Sequence, residues 1–359
     1  MVVDKERRKL YTGTTDGVLS AWDLDHENPR NGASLFSQPK EDKSSVSAML
    51  LLPDGTVASG HENGKIFLWD PKARAVRYTL PGHKKAINGL AFYPVTQSLF
   101  SSSRDGTVRR WGLKPRKGQS SPESKIFVAK GMSPLAVQGL AILEDKLFYV
   151  PHHKDDAEEY HIQRLTIGDD GPKLSKQADA KPKAEAKGKA EKEDSDNDDT
   201  DTEGEKGGSD VEQKEATSPE DVKVEEEADE GPMLLSGHKG LPTLLVVAAG
   251  KLYSGSDDMT IKVWNADGKE ACRPFRGVRK QVLSLDVSDK KLCAASADMS
   301  VREWDLESGA PTNVFIHNEL IGSLIVHDKK MYVACDGGWV RVVNLAKKTN
   351  ADDVAASRM

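Results

Sequence analysis

An all-β chain built from repeated small antiparallel sheets is predicted by three observations. Short alternating apolar runs bounded by turn residues recur along most of the 359 residues. An Asp stands six residues before a Trp at Asp16/Trp22, Asp105/Trp111, Asp258/Trp264 and Asp298/Trp304; Asn63/Trp69 is a conservative departure and Gly337/Val343 a degenerate one. The steps between these anchors are regular: 47 residues from Trp22 to Trp69, 42 to Trp111, then 40 from Trp264 to Trp304 and 39 to Val343. Trp111 and Trp264 are 153 residues apart, and removing a charged segment of 65 leaves 88, room for one hidden unit at 135–167. Seven units of four short strands are the repeat signature of a seven-bladed β-propeller.

The clearest unit, 237–265, reads GHKGLPTLLVVAAGKLYSGSDDMTIKVWN. An apolar strand turns at Gly250-Lys251 into a second strand, and a third ends in Trp264. The Gly-His pairs Gly82-His83 and Gly237-His238, the Ser-x-Ser-x-Asp…Trp runs ending at Trp111 and Trp264, and the Trp-Asp pairs at Trp22, Trp69 and Trp304 resemble the WD-repeat family. That resemblance covers essentially the whole chain outside the charged segment.

The resemblance implies a buried polar chain in which the Trp indole donates to a strand Ser, the Ser bonds the His, and the His bonds the Asp. Such a closed network satisfies buried polar atoms and fixes the strand-to-turn geometry. Only two units carry the full set: His83, Ser101, Asp105 and Trp111, and His238, Ser254, Asp258 and Trp264. The other units are expected to rely on apolar packing. Because His, Ser and Asp recur at a structural period, no catalytic residue is assigned.

In chain order, unit one has strands at 9–14 and 18–23 joined by Asp16-Gly17, read as a type I′ turn. Only residues 1–3 are left for its innermost strand. Ring closure therefore needs either 346–359 as the outer strand of the last unit or sequence beyond the start. Unit two takes strands at 46–52, 56–59, 66–70 and 76–80, and unit three leads into a polar loop at 114–124 whose Arg116 and Lys117 are read as solvated. Unit four has strands at 137–143 and 146–150 before PHHKDDAEEYHIQRL. There His152, His153, Asp155, Asp156 and His161 have ligand chemistry, but they read as a solvated hairpin tip, so no metal is assigned. Unit six has Gly277-Val278 in place of Gly-His, and unit seven carries Trp339 outside the structural Trp position.

Four segments follow: 1–167, the first blades; 168–232, the charged insertion; 233–345, the end of blade four and blades five to seven; and 346–359, a polar tail. The insertion holds 23 Asp/Glu and 10 Lys and no aromatic residue, so it cannot bury enough surface to offset ordering and is expected to be disordered. Leu234-Leu235 stands where an outer strand would, which places the insertion between the third and fourth strands of blade four. Ser195, Thr200, Thr202 and Ser209 among acids, and Ser218 before Pro219, are candidate phosphorylation sites.

The chain's net charge of −6 splits into −13 on the insertion and +7 elsewhere. Three cysteines, Cys272, Cys293 and Cys335, without Cys-x-x-Cys spacing, fit reduced thiols in the cytoplasm or nucleus. No stretch reaches the length of an apolar membrane span. No nucleotide-binding glycine loop appears, and no cofactor or small-molecule substrate is expected.

Family geometry puts the loop after Gly-His and the turn before Asp on one face. That face would carry Lys84, Lys85, Arg104, Lys239, Arg279 and Lys280, with Trp339 at its rim and Glu62, Asp257 and Asp336 as offsetting acids. The reading is a non-enzymatic scaffold binding protein partners there, with the insertion as a docking or regulatory segment. The alternative is a nucleic-acid-associated assembly factor, for instance in ribosome biogenesis, using the basic body. Family members that serve as receptors of cullin-type ubiquitin ligases carry Arg two residues after Trp-Asp; here those positions are Asp25, Lys72 and Glu307.

Overall fold

The computed structural model describes residues 1–25, 34–36, 43–113, 122–128, 137–151, 160–167 and 233–345. They form seven separate antiparallel sheets, each from consecutive strands. Blade 1 is β1 (Val2–Asp4), β2 (Lys9–Gly13), β3 (Leu19–Asp23) and β4 (Ser34–Leu35). Blade 2 is β5 (Val46–Leu51), β6 (Val57–His61), β7 (Ile66–Asp70) and β8 (Ala75–Leu80). Blade 3 is β9 (Ile87–Tyr93), β10 (Ser98–Ser103), β11 (Val108–Gly112) and β12 (Ser124–Val128). Blade 4 is β13 (Val137–Leu143), β14 (Lys146–Pro151), β15 (Tyr160–Thr166) and β16 (Met233–His238). Blade 5 is β17 (Pro242–Ala248), β18 (Lys251–Ser256) and β19 (Ile261–Trp264). Blade 6 is β20 (Val282–Ser288), β21 (Lys291–Ser296), β22 (Ser300–Asp305) and β23 (Pro311–Ile316). Blade 7 is β24 (Ile321–His327), β25 (Lys330–Cys335) and β26 (Trp339–Asn344).

The core lies in seven seams between neighbouring blades rather than in one centre. Period-2 side chains on both faces of each sheet are apolar, so every blade has two faces to cover and neighbours supply the cover. One cluster sits at each seam; Leu68 and Ile66 of blade 2, for example, pack on Leu99 and Trp111 of blade 3. Each Trp that ends a third strand points back into the seam with the preceding blade, as Trp69 does on Phe36 and Tyr11. Where seams are tightest, glycine is required: a Cβ on Gly60 would lie 2.5 Å from Ile87 Cγ2, and one on Gly255 would lie 2.8 Å from Val282 Cγ1.

Near its start, each inner strand from β5 to β24 loses register with its partner by one residue. Such a bulge turns a side chain toward the neighbouring sheet. Ser47 thereby donates to the Ile87 carbonyl at 2.5 Å, Asn88 to Val137 at 2.8 Å, and Thr243 to Val282 at 3.0 Å. The inner strands are thus tied blade to blade by hydrogen bonds.

Two details depart from the sequence reading. The Asp16-Gly17 turn is not type I′: Gly17 alone has positive φ (84°), and its N–H donates to the Thr14 carbonyl at 3.1 Å. A three-residue connection lets Asp16 stay right-handed while the glycine absorbs the left-handed step. Blade 5 has three strands instead of four; its outer position makes only the bridges Trp264↔Glu270 and Ile261↔Phe275. Pro274 has no N–H to give and restricts Arg273, which breaks a regular fourth ladder there. At the closing seam, Val2–Asp4 provides the inner strand of blade 1 and packs beside β24, while the other candidate, 346–359, lies outside the described residues. Leu10 and Leu24 of blade 1 meet Tyr332 and Val340 of blade 7, and exposed Arg8 bonds Asp328 at 2.6 Å and Asp25 at 2.5 Å.

The insertion separates β15 from β16, the third and fourth strands of blade 4, which pair in an antiparallel ladder. The chain divides into two units: residues 1–173 with 231–359, and residues 174–230. The second unit, with Ser195, Thr200, Thr202, Ser209 and Ser218, lies outside the described residues, as do 114–121, 152–159 and 346–359.

Candidate interaction face

Two kinds of loop meet at one end of the strands, and backbone hydrogen bonds fasten them together. The turn between second and third strands donates to the loop that begins the inner strand: Glu62 N–H to Ser45, Arg104 to Ala86, Asp257 to Leu241, Ala297 to Gln281 and Asp336 to Leu320, all between 2.9 and 3.0 Å. The same contact in five blades fixes which residues share this face. Lys84, Lys85, Arg104, Lys239, Arg279 and Lys280 all lie here and all are exposed, as are Glu62, Asp257 and Asp336. Trp339 begins β26 on the same end, but its side chain is outside the described residues.

Beneath the face, the structure brings His83, Ser101, Asp105 and Trp111 together. Trp111 Nε1 donates to Ser101 Oγ at 2.8 Å, Ser101 Oγ is 2.7 Å from His83 Nε2, and His83 Nδ1 is 2.9 Å from Asp105 Oδ2. An indole N–H can only donate, so the Ser hydroxyl passes its single proton to Nε2 and leaves Nδ1–H to donate to the carboxylate. His238, Ser254, Asp258 and Trp264 repeat this at 2.8, 2.7 and 2.8 Å. His83 follows the outer strand of blade 2 and His238 ends that of blade 4, while their partners belong to blades 3 and 5. Each chain of bonds therefore staples two blades. Burial works to raise the Asp105 carboxyl, but bonds from His83, Thr107 and the Lys84 N–H outweigh it and hold it far below the usual carboxylate range. Asp258 is held down in the same way by His238, Thr260 and the Lys239 N–H.

The other blades show what sequence reasoning missed. In blade 2, Trp69 Nε1 donates to Ser59 at 2.7 Å, Ser59 meets His61 Nε2 at 2.9 Å, and His61 Nδ1 meets the Ser44 carbonyl at 2.8 Å. This third chain takes its His from β6 itself, two residues beyond the Ser, and not from the segment between the preceding blade's outer strand and the inner strand, so apolar packing is not its sole support. Trp22 donates to Thr12 at 2.9 Å in blade 1. In blade 6, Ala294 stands where the Ser would be and Trp304 donates to the Arg276 carbonyl at 3.2 Å. Blade 7 keeps the His and loses its partners: His317 is 2 % exposed with neither ring nitrogen bonded, because Val333 replaces Ser, Gly337 replaces Asp and Val343 replaces Trp. Burial and nearby Arg341 push its pKa down to about 4.

Of the residues considered as metal ligands, His161 lies in β15 opposite Ser236, and 152–159 are outside the described residues. Among the described residues, no cluster of three His, Cys, Asp or Glu side chains has metal-holding geometry. Also among them, no helix is long and apolar enough to cross a membrane.

Seven sheets, five of them with a Trp at the end of the third strand, meet a matching repeat in sequence: a family model of the WD domain, G-beta repeat, fits residues 34–70, 74–112 and 232–265. The chain is a β-propeller that carries WD repeats. This WD-repeat protein is 31 % identical over 122 residues to Periodic tryptophan protein 2 of Arabidopsis thaliana, a match covering 32 % of this chain and 12 % of that one. It is 25 % identical over 116 residues to WD repeat-containing protein 55 of the same plant, covering 32 % and 31 %. It is 29 % identical over 108 residues to the human U3 small nucleolar RNA-interacting protein 2, covering 28 % and 23 %. The matches thus span less than a third of these relatives' lengths. The crystallised WD40 beta propeller domain of Doa1 superposes with a TM-score of 0.63 at 15 % identity, over 95 % of this chain and 90 % of that domain, which is a likeness of fold.

Proposed function

We propose that the protein is a non-catalytic docking platform that binds protein partners on the face carrying Lys84, Lys85, Arg104, Lys239, Arg279 and Lys280, with the 168–232 insertion as a regulatory or docking segment. One observation carries this reading: on that face the cations are exposed, whereas the His, Ser and Asp groups that could do chemistry are spent on bonds to one another. A rigid face set by repeated turns, with charge at its loop tips, selects partners by complementarity. Phosphate on Ser195, Thr200, Thr202, Ser209 or Ser218 would add negative charge to the insertion.

The test is affinity purification from cells with the full chain, the chain lacking 168–232, and a variant carrying Lys84→Glu, Lys85→Glu and Arg104→Glu. Loss of specific partners from the charge-reversed variant supports the reading; an unchanged partner set from a folded variant rejects it.

A second reading is favoured by the names of two relatives, the human U3 small nucleolar RNA-interacting protein 2 and the mouse U5 small nuclear ribonucleoprotein 40 kDa protein. The basic body would then work in a nuclear ribonucleoprotein. Salt-dependent RNA retention that grows when 168–232 is removed would support it; retention indifferent to both salt and deletion would reject it.

A further inference from the structure

The turns between second and third strands place one residue in the left-handed region. Blades 1, 2, 3 and 7 use glycine there: Gly17, Gly64, Gly106 and Gly338, with φ between 75° and 84°. Blades 5 and 6 instead hold Met259 and Met299, at φ 62° and 63°, with the same N–H bond back to the strand, 3.2 and 3.0 Å. A side chain at positive φ is disfavoured by about 1 kcal/mol or more relative to glycine. Burial does not compensate, because Met259 is 44 % and Met299 38 % exposed. Stability alone would select glycine at both sites.

The two methionines do not stand alone. The Met299 carbonyl accepts from the His317 N–H at 2.8 Å, which sets Ile316, 76 % exposed, beside it. Exposed Lys239 begins the inner-strand loop of blade 5, its N–H bonded to Asp258 next to Met259; exposed Arg279 bonds Asp298 next to Met299 in the same way at 3.3 Å. Lys280 follows, its carbonyl held by Ser296. Cation and thioether thus alternate along an arc over blades 5 and 6. The Asp258 carboxylate is occupied by His238 and by Thr260 in its own turn, and that of Asp298 by Ser300 in its turn.

We infer that this arc is the part of the docking face that takes an acidic segment of a partner protein carrying apolar side chains, the methionines seating the apolar groups and Lys239, Arg279 and Lys280 the carboxylates. The inference rests on the docking-platform reading and narrows it to one ligand chemistry and two blades. Flexible, polarisable thioethers adapt to varied apolar side chains. Nucleic acid is the poorer fit, since stacking needs aromatic rings and no aromatic side chain is exposed among the described residues.

Fluorescence anisotropy with the full chain tests it, using four labelled probes: an acidic peptide containing leucines, its Leu→Ser counterpart, its charge-reversed lysine counterpart, and oligouridylate. The acidic leucine peptide should bind best, and Met259→Gly with Met299→Gly should weaken it roughly tenfold while leaving Tm equal or higher, because glycine relieves the backbone. Lys72→Glu, after β7 at the opposite end of blade 2 and away from the face altered in the blade 3 variant of Lys84, Lys85 and Arg104, should leave this binding unchanged. Equal binding of the Leu→Ser peptide, preference for oligouridylate, or unchanged binding by the glycine variant would overturn the inference. No peptide binding at all, alongside partner loss from the blade 3 variant in cells, would discard the arc and leave the docking platform standing.

Discussion

His83, His238 and His317 occupy the same place in three blades, yet they contribute differently to stability. The first two bond a Ser and an Asp across a seam, so His238→Ala leaves Ser254 and Asp258 short of partners and is expected to cost about 2–3 kcal/mol in chemical denaturation. His317 bonds nothing through its ring, and His317→Leu is expected to stabilise by about 1 kcal/mol. The pH dependence follows from the same contrast. With a folded pKa of about 4 against an ordinary 6.5, the unfolded chain binds the extra proton between those values, so stability falls as pH drops from 6.5 toward 4. Melting curves of His317→Leu should lose that limb. A second loss, below the ordinary carboxylate pKa near 3.8, should persist in the variant, because Asp105 and Asp258 are held low in the folded state and give up their bonds as pH falls further. His83 and His238 were legible in sequence because Gly-His and Ser-x-Ser-x-Asp are local patterns. His61 was not, since its chain ends on the Ser44 carbonyl, and a backbone acceptor has no residue signature.

Single strands and turns show where local chemistry sets geometry. Gly60 in β6 lies against Ile87 at the head of blade 3, so Gly60→Ala must spread that seam and is expected to lower stability by about 1–3 kcal/mol, read as a drop in Tm. Strand positions were largely readable from period-2 patterning: β13 and β24 begin where the apolar runs begin. The inner-strand bulges were not, because an extra residue shifts the alternation by one and looks like noise until the partner strand is known. Blade 5's missing fourth strand had a visible cause in Pro274, but apolar Phe275 and Val278 around it imitate a strand.

At the scale of the ring, seven similar seams share the load, and closure between blades 7 and 1 is one more such seam. Arg8 with Asp328 and Asp25 forms conspicuous ion pairs there, but all three side chains are solvent-screened. Arg8→Ala should leave Tm almost unchanged, whereas Leu10→Ala in the same seam should cost about 2–4 kcal/mol. The repeat count could be read from the spacing of Trp22 to Val343, because every blade needs similar chain length to cross the same radius. Which loop residues share the face followed from the family's loop positions, but which of them are neighbours did not, since residues more than a hundred positions apart come together only once the ring is closed.

The fourth blade has its interruption between two strands that hydrogen-bond to each other through five residue pairs, Tyr160 with His238 to Arg164 with Met233. Severing the backbone anywhere between them leaves that ladder, the seam between blades 4 and 5 and the closing seam between blades 7 and 1 to hold the halves, so residues 1–199 and 200–359 produced as separate polypeptides should co-elute as one assembly. Spontaneous reunion of that kind would make this disc a two-component reporter that lights up only where both fragments are present.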